Sequence, residues 1–187
     1  TKQFGAVPLF TGLCMEVDAP AVLWAPSGWG KTTLLRILMG LERPTTGSVE
    51  GVGRVAAVFQ EDRLCPQLNA VQNVTLVLPG TENQYKEQII SNFQLVGMDA
   101  AALQLPARRL SGGQKRRVAL LRALWAPSDT LLLDEPFTGM DPDTLQRAAA
   151  LLRQHCACKP VLLATHDESA IRVLGWPVVE LEKLGRS

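Results

Sequence analysis

Residues 24–33, Trp-Ala-Pro-Ser-Gly-Trp-Gly-Lys-Thr-Thr, decide the fold of this 187-residue chain. They predict the end of a strand, a tight loop and the first turn of a helix, which the apolar residues 34–38 continue. Gly28 and Gly30 can adopt backbone angles closed to other residues, so main-chain N–H groups can approach an anion. The helix N-terminus adds unpaired N–H groups and about half a positive charge. The segment therefore predicts a phosphate-binding loop.

Two side chains that follow the glycines suit a nucleotide. Lys31 can reach the outer phosphates, and the hydroxyl of Thr32 can ligate Mg²⁺. In the pattern G-x-x-x-x-G-K-[ST], Ala25 replaces the first glycine, which matters only if position 25 needs a positive φ. An ordinary turn before an amphipathic helix is the alternative. The residues expected to hold the phosphates are Ser27, Gly28, Trp29, Gly30, Lys31, Thr32 and Thr33. Trp29 is included only because it lies within the loop, and its side chain is given no role.

Composition and charge restrict the partners. With 47% hydrophobic residues, 20% charged residues and a net charge of +1, the chain has an ordinary globular composition and no electrostatic attraction to nucleic acid or to a membrane surface. No apolar run reaches the roughly 18 residues of a membrane span. We therefore expect any membrane role to come through a partner.

The four cysteines form no disulfide framework, which favours a reducing cytosol. The run at 155–158, His-Cys-Ala-Cys, contains soft metal ligands. A second cluster that would complete four ligands is missing, so a plain connection between a helix and a strand is the favoured interpretation.

Short apolar strands alternate with helices, which predicts a mostly parallel sheet covered by helices. The expected elements are a hairpin of strands at 13–17 and 21–25, a helix at 31–40, a short strand, a glycine turn and a buried strand within 47–60, helices over 65–110, a helix from 111 to about 125, a strand at 130–133, a helix at 142–154, a strand at 161–164, a helix at 168–174 and a strand at 178–181.

Two further groups of residues suit phosphate chemistry. Asp134 and Glu135 follow the strand at 130–133, where a carboxylate can support Mg²⁺ and another can act as a general base; two solvated carboxylates capping a strand are the alternative. Residues 111–114, Ser-Gly-Gly-Gln, open a helix and can form a second anion site. A simple N-cap at Ser111 is the alternative there.

Taken together, these motifs resemble those of the nucleotide-binding subunit of ATP-binding cassette (ABC) transporters, in the same order over nearly the whole chain. Besides the phosphate loop, the matches are the Q-loop residue Gln60, the signature at 110–114, the Walker B strand with its glutamate at 131–135, the D-loop at 138–141 and the switch histidine His166. The resemblance implies a P-loop NTPase fold with an antiparallel β portion. It also implies one ABC ATPase domain over 1–187, in which 1–64 and 111–187 form the RecA-like core and 65–110 form an inserted helical subdomain.

The resemblance also implies a head-to-tail dimer in which ATP lies between one copy's phosphate loop and the signature of the other. The roles it implies are phosphate binding by Lys31, Mg²⁺ ligation by Thr32 and Gln60 with support from Asp134, polarisation of the attacking water by Glu135, contact with the γ-phosphate by His166, and nucleotide contacts across the dimer by Ser111, Gly112, Gly113 and Gln114. Phe4 is the expected platform for adenine and Phe10 the weaker choice, although Phe4 can instead be a core residue.

Two regions leave the interpretation more open. Five basic residues surround the signature, either as a solvated helix face or as electrostatic support for the triphosphate: Arg108, Arg109, Lys115, Arg116 and Arg117. Residues 58–66, with Gln-Asn-Val at 72–74, resemble importer ATPases of the nitrate, sulfonate and taurine type, and Arg63 and Leu64 lie where such subunits meet the permease. Such a subunit sits on the cytoplasmic face of the membrane through its permease and works with an extracytoplasmic substrate-binding protein.

Two other functions compete with an ATPase that drives import. One is a binding module that dimerises with ATP but hardly hydrolyses it, because Ala25 distorts the phosphate loop. The other is a soluble cassette that acts on ribosomes or DNA, although such proteins usually carry two cassettes or long coiled-coil insertions.

Overall fold

A computed structural model describes residues 1–156 and 159–184 of the chain. Its strands are β1 (Lys2–Phe4), β2 (Val7–Phe10), β3 (Ala21–Trp24), β4 (Val55–Val58), β5 (Thr130–Asp134), β6 (Val161–Thr165) and β7 (Val178–Glu180). Its α-helices are α1 (Lys31–Leu38), α2 (Ala70–Thr75), α3 (Glu82–Leu95), α4 (Ala100–Gln104), α5 (Gly112–Trp125), α6 (Pro142–His155) and α7 (Glu168–Leu174).

Five strands form one parallel sheet in the order β4-β5-β6-β3-β7. A separate antiparallel hairpin joins β1 to β2. This arrangement confirms the predicted fold class of a helix-covered parallel sheet with an antiparallel portion. The elements predicted from residue 111 onward also lie where the sequence places them, within one or two residues at each end.

The sheet is covered on both faces because alternate residues of each strand belong to different cores. Leu131, Leu133 and Leu163 pack in the larger core, with α2, α3, α5 and α6. Leu132 and Leu162 pack in the smaller core, with α1 and the β1–β2 hairpin. Successive side chains of a strand point to opposite faces of the sheet, and both faces are buried here. These short segments are therefore apolar throughout.

Residues 65–110 are mostly helical, as predicted, and their apolar side chains share the larger core with α5 and the sheet. Asn73 is fully buried, and its amide donates to the carbonyl oxygens of Cys65, Leu68 and Asn69 while its Oδ1 accepts from the N–H of Cys65. A buried amide with these partners holds the loop after β4 against α2.

The predicted hairpin of 13–17 with 21–25 is wrong. Residues 13–17 form no strand, although Leu13, Met15 and Val17 pack against the smaller core. The physical reason is that β3 is paired on one side with β6 and on the other with β7, which leaves it no free edge. The antiparallel pair is instead β1 with β2.

The short strand expected within 47–53 is also absent, while the buried strand that follows it is β4. Gly47, Gly51 and Gly53 each have a positive φ, which interrupts extended structure. The segment is tied to the start of β5 by side chains, since Asp129 accepts from the N–H of Arg54 and the Thr130 hydroxyl donates to the carbonyl oxygen of Val52.

The segment after α6 is described only in part. His155 is the last residue of α6, and burial raises the pKa of the Cys156 thiol to about 11. Residues 157 and 158 of the predicted connection lie outside the described residues. Across 1–156 and 159–184, no helix combines the length and the apolar character that crossing a bilayer requires.

We expect Leu163→Ala to lower the free energy of unfolding by about 2–5 kcal/mol, because it leaves a cavity in the middle of the sheet. Leu163 is fully buried, whereas Leu41 is 57% exposed. Leu41→Ala is therefore the control and should change stability by less than about 1 kcal/mol. Urea unfolding followed by circular dichroism measures both, and equal effects would contradict the assigned core.

Candidate functional site

The phosphate loop connects the end of β3 to the first turn of α1. Gly28 and Gly30 have φ values of 82° and 88°, in the left-handed region that favours glycine. Gly30 is the N-cap of α1, and a Cβ there would lie 2.7 Å from Cδ2 of Leu9 in the hairpin. Both glycines are therefore required, one by the turn and the other also by the close approach of β2.

Ala25 fits this loop without strain. Among the described residues other than glycine, only Arg63 and Glu135 have a positive φ, so position 25 does not need a glycine. Its side chain is fully buried in the smaller core. The premise that Ala25 distorts the phosphate loop is therefore wrong.

Lys31 lies with its side chain folded along the loop. Its Nζ donates to the carbonyl oxygens of Ala25, at 2.5 Å, and Pro26, at 3.2 Å. Burial lowers the pKa of the Lys31 ammonium, and the nearby carboxylates of Glu135 and Asp134 act in the opposite direction. The ammonium is thus held at the loop by two uncharged carbonyl oxygens, which an anion can replace.

Thr32 and Asp134 form the contact between α1 and the end of β5. The Thr32 hydroxyl donates to Oδ2 of Asp134 over 2.7 Å. Burial raises the pKa of the Asp134 carboxyl and Glu135 adds to the rise, while the Thr32 hydrogen bond, Arg116 and Lys31 lower it. A hydroxyl beside a buried carboxylate offers the hard oxygen atoms that Mg²⁺ prefers.

Together these two residues fit part of a Mg²⁺ site. In the part of the chain that the structure describes, no three His, Cys, Asp or Glu side chains are grouped to hold a metal ion. Most ligands of a Mg²⁺ ion would therefore be phosphate oxygens and water, as is usual for nucleotide-bound Mg²⁺.

Glu135 has an unusual backbone and a well-held carboxylate. Its φ is 50°, and its N–H continues the β5–β6 pairing by donating to the carbonyl oxygen of Ala164. Its carboxylate accepts from the Thr165 hydroxyl at 2.8 Å and from the N–H of His166 at 3.0 Å. Nδ1 of His166 lies 2.6 Å from the same carboxylate. The ends of β5 and β6 thus bring the two sequence-predicted residues into direct contact.

Gln60 follows β4, and its side chain is exposed. Its carbonyl oxygen accepts from Nη1 of Arg116.

Arg116 is only 4% exposed and binds backbone carbonyls at the ends of both β4 and β5. Arg117, which is half-buried, donates to the carbonyl oxygens of Val96, Gly97 and Gly113. The solvated-face interpretation is therefore wrong for Arg116, whereas Arg108 and Arg109 are exposed. Electrostatic support for a triphosphate across a dimer stays a prediction.

The signature forms the start of α5. Ser111 and Gln114 make a reciprocal capping box, in which the serine hydroxyl accepts from the N–H of Gln114 and the glutamine Oε1 accepts from the N–H of Ser111. Ser111 and Gly112 are exposed. A Cβ at Gly113 would lie 2.9 Å from the carbonyl oxygen of Gly139, so the signature packs closely on the D-loop of the same chain.

The two candidate adenine platforms differ in exposure. Phe4 is 55% exposed, and Nζ of Lys2 lies 4.8 Å from the centre of its ring. Phe10 is buried in the smaller core. Phe4 is thus not a core residue, and Phe10 offers no free face for a base.

The structure brings most of the predicted residues to the carboxyl edge of the sheet. There the phosphate loop follows β3 and Gln60 follows β4. The Asp134–Glu135 pair lies at the end of β5, and His166 follows β6. The sequence interpretation missed the contacts of two residues near this site. Thr165 stands beside His166, and its place at a strand end was the available signal. Arg116 was noted only as part of the basic cluster, because an arginine on an early helical turn resembles a solvated one.

The comparisons with known proteins agree with this geometry. The family model described as "ABC transporter" matches residues 13–138. The aliphatic sulfonates import ATP-binding protein SsuB 1 of Rhodococcus jostii is 44% identical over 168 residues, which cover 86% of this chain and 66% of the relative. The Fe(3+) ions import ATP-binding protein FbpC 1 of Rhizobium meliloti is 37% identical, over 89% of this chain and 52% of the relative.

The chain therefore spans half to two thirds of the length of these two relatives. Among solved structures, the dimeric post-hydrolysis state of the ATP-binding cassette MJ0796 bound to ADP and Pi superposes with a TM-score of 0.78. That comparison covers 96% of this chain and 89% of the other at 23% identity, so it bears on the fold alone. From the family match, the sequence identity and the shared fold, we conclude that this chain belongs to the ABC transporter family as an ATP-binding cassette.

Proposed function

We propose that the chain binds and hydrolyses ATP and thereby drives import through a separate membrane permease. The observation that carries this proposal is the convergence of Lys31, the Thr32–Asp134 pair and the Glu135–His166 pair at one edge of the sheet. These groups correspond to phosphate binding, Mg²⁺ support and activation of water, the three tasks of phosphoryl transfer to water.

The phosphate loop would receive the β- and γ-phosphates. The loop N–H groups and the N-terminus of α1 provide fixed dipoles there, and Lys31 provides the charge. Its ammonium would exchange the neutral carbonyl oxygens of Ala25 and Pro26 for anionic phosphate oxygens, which adds direct attraction between opposite charges. Phe4, exposed on the hairpin that contacts Gly30 through Leu9, is the proposed stacking partner for adenine.

We assign three groups to Mg²⁺: the Thr32 hydroxyl, the Asp134 carboxylate and the side chain of Gln60. The ion would neutralise charge on the phosphate oxygens. The 2.7 Å hydrogen bond between the Thr32 hydroxyl and the Asp134 carboxylate supports this role, because it places two hard oxygen atoms side by side at the end of the phosphate loop.

Glu135 is the proposed general base for the attacking water. Its two carboxylate oxygens accept from the Thr165 hydroxyl and the His166 N–H, which hold the carboxylate in one orientation. A base positioned in this way contributes about 10²–10⁴-fold to the rate. His166, 66% exposed at its side chain, can turn from Glu135 to a γ-phosphate.

A second copy of the chain would complete the site through its signature. Ser111 and Gly112 are exposed at a helix N-terminus, where N–H groups favour an anion. Gly113 and Gln114 belong to the same turn, and Gln114 already fixes the Ser111 N–H through the capping box. Closing such a dimer would surround the triphosphate with fixed dipoles, and opening after hydrolysis would remove them. The mechanical work of transport would come only from the difference in ATP affinity between the open and the closed dimer.

The helical segment 65–110 is the proposed subdomain that transmits this movement to the permease, with Gln60 at its hinge and 1–64 with 111–187 as the core. The chain would sit on the cytoplasmic face of the membrane through that permease. An extracytoplasmic substrate-binding protein would deliver the solute, and nucleic acid would take no part in the process.

A small oxyanion such as a sulfonate, taurine or nitrate is the solute that we favour. The support is the sequence of 58–66 with 72–74 and the 44% identity to a sulfonate importer subunit. The 37% identity to a ferric-ion importer subunit is the competing indication. Solute choice depends on other subunits, so solute-dependent ATPase activity with each permease decides between them.

Glu135→Gln should abolish most hydrolysis and leave ATP binding intact, because the amide keeps the shape of the carboxylate but cannot accept a proton. We expect a loss of about 10²–10⁴-fold in turnover and an ATP-dependent dimer by light scattering. Glu87→Gln, on the exposed face of α3, is the control. Failure to dimerise both alone and together with the permease would contradict the head-to-tail assembly.

Lys31→Ala should weaken ATP binding by about 10–100-fold, as expected for losing a hydrogen bond to a charged group. Calorimetric titration with a non-hydrolysable ATP analogue measures the change. Lys86→Ala, which removes an exposed lysine of α3, should leave the affinity unchanged. Equal affinities of the wild type and Lys31→Ala would remove Lys31 from its assigned role.

Ala25→Gly tests the binding-module alternative directly. Because Ala25 has an ordinary backbone conformation, restoring the glycine should change the turnover number by less than about twofold, well below the tenfold that 1.4 kcal/mol corresponds to. A gain of about tenfold or more would mean that Ala25 restrains hydrolysis and would favour the module.

A further inference from the structure

Helix α5 places two arginines on the loops that surround the proposed site. Arg116 and Arg122 together donate to six backbone carbonyl oxygens outside their own helix, those of Phe59, Gln60, Asp62, Arg63, Asp134 and Glu135. These carbonyls belong to the Q-loop and to the end of β5, which are not adjacent in sequence. The helix that begins at the signature thus holds both loops.

Arg116 bridges the two loops by itself. Its Nη1 donates to the carbonyl oxygens of Phe59 and Gln60 and to Oδ1 of Asp62. Its Nη2 and Nε donate to the carbonyl oxygen of Glu135 at 2.7 and 2.9 Å, and Nη2 also reaches that of Asp134. The side chain is 5% exposed, so a lost contact there would not be replaced by bulk water.

The residues held in this way include both sites of backbone strain. Glu135 and Arg63 are the only described residues other than glycine with a positive φ. Arg116 binds the carbonyl oxygen of Glu135, and Arg122 binds that of Arg63 over 2.8 Å. Such conformations persist only where neighbouring groups fix them. In this chain α5 supplies one such group to each residue, and Glu135 is also held by the carbonyl oxygen of Ala164 and by Thr138.

We propose that Arg116 is a positioning residue that fixes the Q-loop and the backbone of Glu135 to one another and to α5. This inference rests on the proposed function, since Glu135 is the proposed base and Gln60 a proposed Mg²⁺ ligand. A movement of the signature helix would then move the Q-loop and the base together, which links dimer closure to alignment of the attacking water.

Only arginine has the geometry that this role requires. The guanidinium carries five donors in a rigid plane, whereas lysine is a point charge with three donors at one atom. A purely electrostatic role, such as attraction of the triphosphate, would survive replacement by lysine. A positioning role would not, because one ammonium cannot reach the carbonyl oxygens of both Phe59 and Glu135 in the same way.

The test compares four variants of the full chain: Arg116→Gln, Arg116→Lys, Arg122→Gln and Arg153→Gln. Arg153→Gln is the matched control, because Arg153 also binds two backbone carbonyls, those of Val173 and Leu174, at the other end of α7 from His166. Turnover, ATP affinity and amide hydrogen exchange are measured for each. The exchange measurement requires no hydrolysis.

We expect Arg116→Gln to lower the turnover number by about 10–100-fold, the range for a displaced catalytic group, with ATP affinity changed by less than about threefold, under the 1.4 kcal/mol of a tenfold change. Exchange should accelerate at 59–62 and at 134–138 but not at the phosphate loop. Arg116→Lys should restore less than half of the lost turnover. Arg122→Gln should loosen only 62–64, and Arg153→Gln should change neither region.

Three results would overturn the proposal: normal turnover in Arg116→Gln, full rescue by lysine, or faster exchange throughout the chain rather than at the two loops. The last would assign Arg116 to general stability. Should Arg116→Gln not fold, Arg116→Lys, which keeps the buried charge, provides the same exchange comparison. Should the wild type lack ATPase activity, the proposed function fails, and exchange at 134–138 still decides whether Arg116 fixes Glu135.

Discussion

Parallel pairing of β3, β4, β5 and β6 is the constraint on which the rest of the structure depends. Because parallel strands end at the same edge of a sheet, the segments that follow them must meet there. The phosphate loop, Gln60, the Asp134–Glu135 pair and His166 are those segments, although more than 130 residues separate the first from the last. The Thr32–Asp134 and Glu135–His166 contacts are direct consequences of the strand order.

The helices add what strand pairing cannot. The sheet aligns the ends of β4 and β5, but it does not fix the loops that leave them. Helix α5 does so through Arg116 and Arg122, while its first turn carries the signature and its apolar face shares a core with 65–110. One rigid element therefore touches the regions assigned to water activation, to Mg²⁺, to the second copy and to the permease.

Sequence reasoning succeeded where a local physical rule determined the outcome. Glycines at 28 and 30 and the apolar run of β5 each specify their structure without distant partners. The sequence-based predictions failed where the pairing of a strand depended on strands that are distant in the sequence. Residues 13–17 alternate like a strand but find β3 already paired on both edges. The contacts of Arg116 were missed for the same reason, because its five acceptor oxygens come from segments at 59–62 and 134–135 that only the fold brings together.

The central claim is that one triphosphate is shared between the lysine loop of one copy and the signature of another. A structure of the Glu135→Gln protein with ATP and Mg²⁺ tests it most directly. The account predicts a γ-phosphate within hydrogen-bonding distance of Lys31 of one copy and of Ser111 of a second copy. A γ-phosphate bound at Lys31 while Ser111 of every neighbouring copy remains remote from it would contradict the account.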